Sequence, residues 1–425
     1  MSAWAPADEH LLLELLGVDT TTPMETGRPS ALRDAQCLLA EHAVAAGFEI
    51  EHFAPPERGA IERPGVPLPV LERAAEMGKV FLSSQPNLVL RLGPPRPSDR
   101  TLVFNSHLDT VGGDVEVTVN ESTLTGRGAI DAKGPVVAVL AGVRDAVATR
   151  PDLRDRITVL LHAVGGEEGG ALGVYGTREM AERGYLGRLN VVAEASQLGF
   201  FDHGTVSMTT RIAVDGAGST DDEPALGDNA TLILASVVCD LAELVGPSVE
   251  EIGAKMCIAG MSTGSTHDRV FGSGHLLLNF SYGSQEQGSS IERHVEAAFE
   301  QVADRFASRF GQLAIAKRSA LRLTDVCSLT WLKRGLPVLR NRDEEMESLL
   351  GAVGISRHDP DGDPAPFTCD AMWLAGSVGH TIVFGPGDLG ANGAHTPREH
   401  VFRTDLEEYA ERVSALVLAF DRKIG

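Results

Sequence analysis

Two adjacent carboxylates, Glu167 and Glu168, stand between glycine pairs in Gly165-Gly-Glu-Glu-Gly-Gly170, shortly after the apolar run Ile157-Thr-Val-Leu-Leu161. A carboxylate at the end of a buried strand loses water, and a second beside it adds repulsion, so something cationic is expected to neutralise them. Four further segments supply matching donors. Asn105-Ser-His-Leu-Asp-Thr110 sets His107 and Asp109 two apart, on one side of an extended chain. There a carboxylate can accept the far imidazole N–H and fix the ring for metal binding. Gly126-Arg-Gly-Ala-Ile-Asp-Ala-Lys-Gly134 places Asp131 in a tight turn before a helix. Val192-Ala-Glu-Ala-Ser196 caps a strand with Glu194, and Gly385–Pro397 carries His395 in a loop after a strand. Singly, each is ordinary: a loop histidine, a turn aspartate, an exposed acidic pair. His162, within the apolar strand, reads as a core residue. The force lies in the combination, because two histidines, three carboxylates and one spare carboxylate suit two divalent cations sharing a bridge.

The elements that must position these residues follow from apolar patterning. Strands are predicted over 49–53, 87–92, 101–105, 123–125, 157–163, 190–193 and 380–384, with helices over 10–18, 29–47, 135–148, 174–183, 344–353, 370–375 and 404–424. Residues 54–86, rich in Pro, Gly and charge, form an excursion with one short helix near 70–77. Apolar strands alternating with helices imply an α/β fold, a mostly parallel sheet flanked by helices. Every candidate donor then sits at one end of that sheet, where ligands gather in such folds. After Gly204 the character changes. A strand over 206–214, a helix over 229–245, strands near 255–258 and 275–282, a helix over 290–310 and a strand over 313–323 make an inserted α+β sandwich with an open sheet. The expected domains are residues 1–204 and 324–425 for the larger one and 205–323 for the insertion.

The bulk numbers narrow the partners. The chain has 425 residues, 43% hydrophobic and 23% charged, as a soluble globular protein would. A formal net charge of −22 argues against nucleic acid and anionic membrane as partners. The N-terminus lacks a basic-plus-apolar signal pattern, and no stretch approaches 18 uninterrupted apolar residues. Five scattered cysteines without a CxxC pair suit free thiols in a reducing cytoplasm.

The motifs His107-Leu-Asp109, Gly128-Ala-Ile-Asp-Ala-Lys-Gly134, Glu167-Glu168, Glu194 and Gly385-Pro-Gly…Ala394-His-Thr-Pro397, in this order, resemble the M20 metallopeptidase family of deacylases and peptidases. Asp19-Thr-Thr-Thr-Pro23 extends the likeness to the start of the chain. The resemblance implies a zinc-peptidase-like catalytic domain with an inserted lid. It further implies that Asp131 bridges two zinc ions, with His107 and Glu194 on one and Glu168 and His395 on the other. Asp109 would orient His107, and Glu167 would be the general base. Co²⁺ or Mn²⁺ could occupy the same donor set.

The lid departs from the family pattern. The turn that normally carries an oxyanion-binding histidine reads Val214-Asp-Gly-Ala-Gly-Ser-Thr220, without one. The arginine expected to grip a substrate carboxylate aligns with Ser281, and an Asp-Ala-Arg stretch becomes Asp370-Ala-Met372. His267 and Arg269, in Ser265-Thr-His-Asp-Arg269, are the candidate substitutes, with a polar surface loop as the alternative. The resulting expectation is a dinuclear zinc amidohydrolase cleaving an N-acyl or dipeptide-like amide of a small polar molecule. Two rivals are an acyltransferase or amide-forming enzyme on the same metal site, and a non-catalytic binding protein retaining the fold. A homodimer is expected through the 229–245 helix and an edge strand of the lid.

Overall fold

The computed structural model describes residues 2–359, 362, 364–376 and 379–425. The chain divides into two units, Met1–Gly204 with Leu339–Gly425, and Thr205–Val338. The larger is built on a seven-stranded sheet, in the order Glu49–Ala54, Asn87–Leu92, Thr158–Val164, Thr101–His107, Leu189–Val192, His380–Phe384, Phe200–Phe201. The four strands from Thr158–Val164 to His380–Phe384 run parallel, and the outer pairings are antiparallel. The fold is thus α/β with a mostly parallel central sheet, as expected. Thr101–His107 and Thr158–Val164 are buried along their whole length, which is why consecutive apolar residues, Leu102–Phe104 and Val159–Leu161, stand in them rather than an alternating pattern.

Helices cover this sheet. Lys133–Thr149 is buried nearly all round and packs against the C-terminal helix Arg403–Ile424. A glycine makes that approach feasible: a Cβ at Gly142 would collide with the Ala410 carbonyl and the Val413 side chain. The consequence for the site is directional. Three parallel strands lead, at their carboxyl ends, into the segments carrying Glu167-Glu168, Glu194 and His395, and the fourth ends on His107 itself. The segment 123–125 departs from the expectation. It forms a strand, but in a separate three-stranded sheet with Thr118–Val119 and His400–Phe402.

The smaller unit holds a four-stranded antiparallel sheet, Lys255–Ser262, Ser273–Tyr282, Val206–Asp215, Cys327–Lys333, with the helices Ala230–Glu251 and Gln285–Phe299 packed together beside it. Val206–Asp215 alternates buried and half-buried residues, the period of a strand with one face covered. The expected strand over 313–323 is instead part of a helix, Lys317–Val326. Its alternating Leu313, Ile315 and Leu321 are exposed, while Ser319, Leu323 and Val326 are buried at spacings of four and three. The 3.6-residue period therefore prevailed over the two-residue one. Arg318 and Arg322, one turn apart, lock this helix onto the buried Asp228 carboxylate. The closing strand comes later, at Cys327–Lys333, so the chain re-enters the larger unit at Leu339 rather than at residue 324. The expected helix over 290–310 is two helices, Gln285–Phe299 and Val302–Phe310. Ala230–Glu251 is long and apolar enough to cross a bilayer by length and composition, but its apolar side packs on the sheet and on neighbouring helices.

His162 lies mid-strand, buried, with neither ring nitrogen hydrogen-bonded among the described residues. Burial lowers its pKa to about 3 from the ordinary 6.5, so the folded protein keeps it neutral where the unfolded chain protonates it. Between those values the unfolded state binds the extra proton, so stability falls as pH drops, by at most about 1.4 kcal/mol per pH unit from this group. Replacing His162 with Leu is expected to flatten the loss between pH ~6.5 and ~3 in denaturant titrations at several pH values. An unchanged slope would show that His162 is not a source of the acid sensitivity.

Candidate metal centre

His107 ends the strand Thr101–His107, its ring buried. Its Nε2 lies 2.9 Å from Asp131 Oδ1 and 3.2 Å from Glu194 Oε1. His395 Nε2 lies 3.0 Å from Asp131 Oδ2 and 3.0 Å from Glu168 Oε1. The two oxygens of one carboxylate therefore face two different imidazoles, and each imidazole has a second carboxylate of its own. All five sequence-predicted ligands are brought together, drawn from segments as far apart as residues 107 and 395.

The donor set fits divalent cations. One Nε2 proton on His107 cannot serve both Asp131 and Glu194, and the buried Glu194 Oε1 makes no well-oriented hydrogen bond. A cation between these atoms would satisfy all three at once. Two imidazoles with three carboxylates is also a mixed N/O set of the kind that zinc takes.

The electrostatics tell the same story. Burial alone would lower His107, but the Glu194 and Asp131 carboxylates hold its pKa well above the ordinary value. Hydrogen bonds to Asp131 and Glu168 raise His395 to about 10. Burial raises Glu194 to about 7 and also raises Glu168, while Asp131 is held below its ordinary value, against its burial, by its hydrogen bonds to the two histidines. Protons here do a job that a metal ion would do better, since the same nitrogens must be deprotonated to ligate.

Glu167 differs from Glu168 beside it. Among the described residues no hydrogen bond or ion pair holds its carboxylate, and burial followed by the Glu168 charge pushes its pKa well above the ordinary range. The turn that carries both is built tightly. Gly166 has φ +77°, and a Cβ there would run into the Tyr175 ring. His395 itself has φ +63°, a left-handed backbone uncommon outside glycine and often found at functional sites.

Asp109 corrects the expected arrangement. His107 Nδ1 lies 2.8 Å from the main-chain carbonyl of Asp109, whereas the Asp109 carboxylate is 3.7 Å away. That carboxylate instead accepts the backbone N–H of Glu167 at 3.3 Å and of Glu168 at 3.1 Å. Its place is to hold the acidic turn, and the ring is oriented by the peptide carbonyl. His267 and Arg269 belong to the other unit of the chain. They lie exposed in the smaller unit, between Lys255–Ser262 and Ser273–Tyr282, and His267 makes no hydrogen bond among the described residues.

Several positioning residues escaped the sequence reading. Glu399, buried, accepts the Gly128 N–H at 2.8 Å and pairs with Arg127 at 2.5 Å, tying the Asp131 turn to the segment just after His395. Lys133, almost fully buried, donates to the Val18 carbonyl at 3.0 Å, tethering the Asp19–Pro23 loop to the same turn. Ser196 accepts the Gly385 N–H at 2.8 Å and joins the Glu194 segment to the His395 loop. A buried charge adjoining a Gly-rich turn was the one available signal, and Lys133 in Asp131-Ala-Lys133 carried it. Adding Zn²⁺ to chelator-treated protein is expected to raise the melting temperature by several degrees, and His107→Ala to abolish that rise, in thermal denaturation scans. An equal rise in the variant would remove His107 from the ligand set.

The comparisons with known proteins agree with this geometry. Residues 103–419 match the model of peptidase family M20/M25/M40. Succinyl-diaminopimelate desuccinylase of Halorhodospira halophila is 26% identical over 423 residues, covering 94% of each chain. A local match of 43% identity over 109 residues joins 25% of this chain to 29% of a protein of Aeropyrum pernix named provisionally as a LysW-lysine/LysW-ornithine hydrolase. Among solved structures, an M20 family metallo-carboxypeptidase of Sulfolobus solfataricus superposes with a TM-score of 0.68 at 12% identity, covering 98% of this chain and 100% of its own, which shows a shared fold. With its cluster of imidazoles and carboxylates at the carboxyl ends of a mostly parallel sheet, the chain belongs to peptidase family M20/M25/M40 and is a metal-binding hydrolase of amide bonds.

Proposed function

We propose that the chain is a dinuclear zinc-dependent amidohydrolase that cleaves an N-acyl or dipeptide-like amide of a small polar molecule. The observation that carries this reading is Asp131, whose Oδ1 and Oδ2 face His107 and His395 respectively. One carboxylate so shared is the arrangement of a bridging ligand between two ions, with Glu194 completing one side and Glu168 the other. Bound divalent cations supply Lewis acidity, polarising the scissile carbonyl and acidifying the attacking water. Zn²⁺ suits the donors best, and Co²⁺ or Mn²⁺ fit the same set.

Glu167 does the proton work. Among the described residues its carboxylate has no hydrogen-bond or ion-pair partner, and its raised pKa suits it to take up a proton as a general base. It takes the proton of the attacking water and returns it to the leaving nitrogen. Asp109 keeps it in place by holding the Glu167 and Glu168 backbone N–H groups. Glu167→Gln is expected to keep its metal content while losing turnover by about 10²–10⁴-fold, measured with a panel of N-acyl amino acids and dipeptides. Substantial activity in that variant would overturn the assignment.

A homodimer through the smaller unit belongs to the same proposal. Lys255–Ser262 is an edge strand whose outer row of backbone groups is unpaired in the sheet, and Ile258 and Met261 on it are 52% and 48% exposed. Such an edge is a template for pairing with a second copy about a twofold axis. Ile258→Lys is expected to shift the sedimentation of the chain from dimer to monomer; a wild-type chain that sediments as a monomer contradicts the pairing.

A further inference from the structure

We propose that the short 3-10 helix Asp370–Leu374 is a clamp that holds the Glu167-Glu168 turn in register with the metal-binding strand, with Asp370 and Trp373 as its positioning residues. This rests on the reading of Glu167 as the general base. A 3-10 helix has three residues per turn, so positions 370 and 373 share one face. Both side chains reach the same loop. Trp373 Nε1 donates to the Leu172 carbonyl at 2.5 Å, while the Leu172 N–H donates to the Glu167 carbonyl at 2.9 Å. Leu172 has φ 54°, a left-handed backbone at a residue with a Cβ, so this loop is held in a conformation it would not favour alone. The Trp373 ring is itself stacked under the Arg178 guanidinium, 4.6 Å from the centroid.

Asp370 makes the second tie. Its Oδ2 accepts from Thr177 Oγ1 and, at 3.3 Å, from Asn105 Nδ2. Thr177 begins the helix Thr177–Glu182 that ends the acidic loop. Asn105 stands two residues before His107 on the same strand, and its carbonyl accepts the Ala193 N–H at 2.8 Å, next to Glu194. One buried carboxylate thus joins the loop of Glu167 and Glu168 to the strand that positions His107 and Glu194. Gly173 is pressed against both Asp370 and Trp373, with no room for a Cβ. Placing Asp370 here is costly. It is buried, its Oδ1 has no hydrogen-bond partner among the described residues, and its charge adds to those of Glu167 and Glu194. A carboxylate kept in so unfavourable a place is accounted for by the geometry it enforces.

The test uses the full, zinc-loaded chain and conservative changes. Thr177→Val deletes the hydroxyl at nearly constant shape, Thr177→Ser keeps it, and Trp373→Phe removes the indole N–H with part of the ring system while leaving an aromatic ring for Arg178. The wild type is assayed with N-acyl amino acids and dipeptides, and hydrogen exchange is followed for the amides of 166–176. Thr177→Val and Trp373→Phe are expected to lower kcat about 10- to 100-fold with KM changed less than about twofold, to keep their zinc and to speed exchange in that segment. Thr177→Ser is expected to behave as wild type. Unchanged exchange overturns the clamp, and faster exchange with unchanged kcat overturns its positioning role. Glu167→Gln run alongside separates the two readings: if it retains turnover the base assignment fails, whereas the exchange data still judge the clamp.

Discussion

The site depends on one shared carboxylate. Asp131 offers one oxygen to His107 and the other to His395, and these histidines are remote from each other in sequence. Buried acids are tolerated only when something positive meets them, and here three carboxylates converge on two imidazoles. With protons alone the arrangement is half satisfied, since His107 Nε2 has two oxygens competing for it. The parallel sheet matters because it gathers strand ends at one rim, so that donors remote in sequence become neighbours.

Around that carboxylate lies a layer of residues whose work is placement. Asp109 anchors the acidic turn through two backbone N–H groups, Glu399 and Arg127 brace the Asp131 turn, and Lys133 ties it to the N-terminal loop. Ser196 fastens the Glu194 segment to the His395 loop. All but the half-buried Arg127 are buried polar groups, and their hydrogen bonds stand where water would otherwise be, which is how a site on loops acquires the rigidity of a strand. The division of labour between two neighbouring glutamates follows from it. Glu168 is turned to His395 and its carboxylate is engaged, whereas the Glu167 carboxylate has no hydrogen-bond or ion-pair partner among the described residues and its pKa is raised.

Much of this was legible in the residues themselves. The five candidate ligands and the candidate base stand in short motifs at strand ends or in glycine-rich loops; a parallel sheet placed them at one rim, and the family resemblance supplied their expected roles. The four parallel strands were legible as buried runs because both faces are covered. The smaller unit was harder. Residues 313–323 carry Leu313, Ile315, Leu321 and Leu323 at even spacings, as a strand can, yet the burial of Ser319 and Leu323 and the pull of Asp228 on Arg318 and Arg322 make 317–326 a helix. Those partners are remote in sequence, so local pattern could not weigh them. The role of Asp109 was misread for a similar reason: an Asp two residues after a His suggests a carboxylate–imidazole pair, but the carboxylate finds the backbone of a loop some sixty residues on. Asp370 stood out only as part of an altered Asp-Ala-Arg stretch and Trp373 gave no signal, because a clamp is defined by what it touches.

The central claim is that Asp131 is shared by two metal ions, and anomalous diffraction at the zinc edge from zinc-loaded crystals tests it most directly. Two peaks are predicted, one beside His107 and Glu194 and the other beside His395 and Glu168, with the Asp131 carboxylate between them. A single peak, or two peaks that do not flank Asp131, would contradict the account.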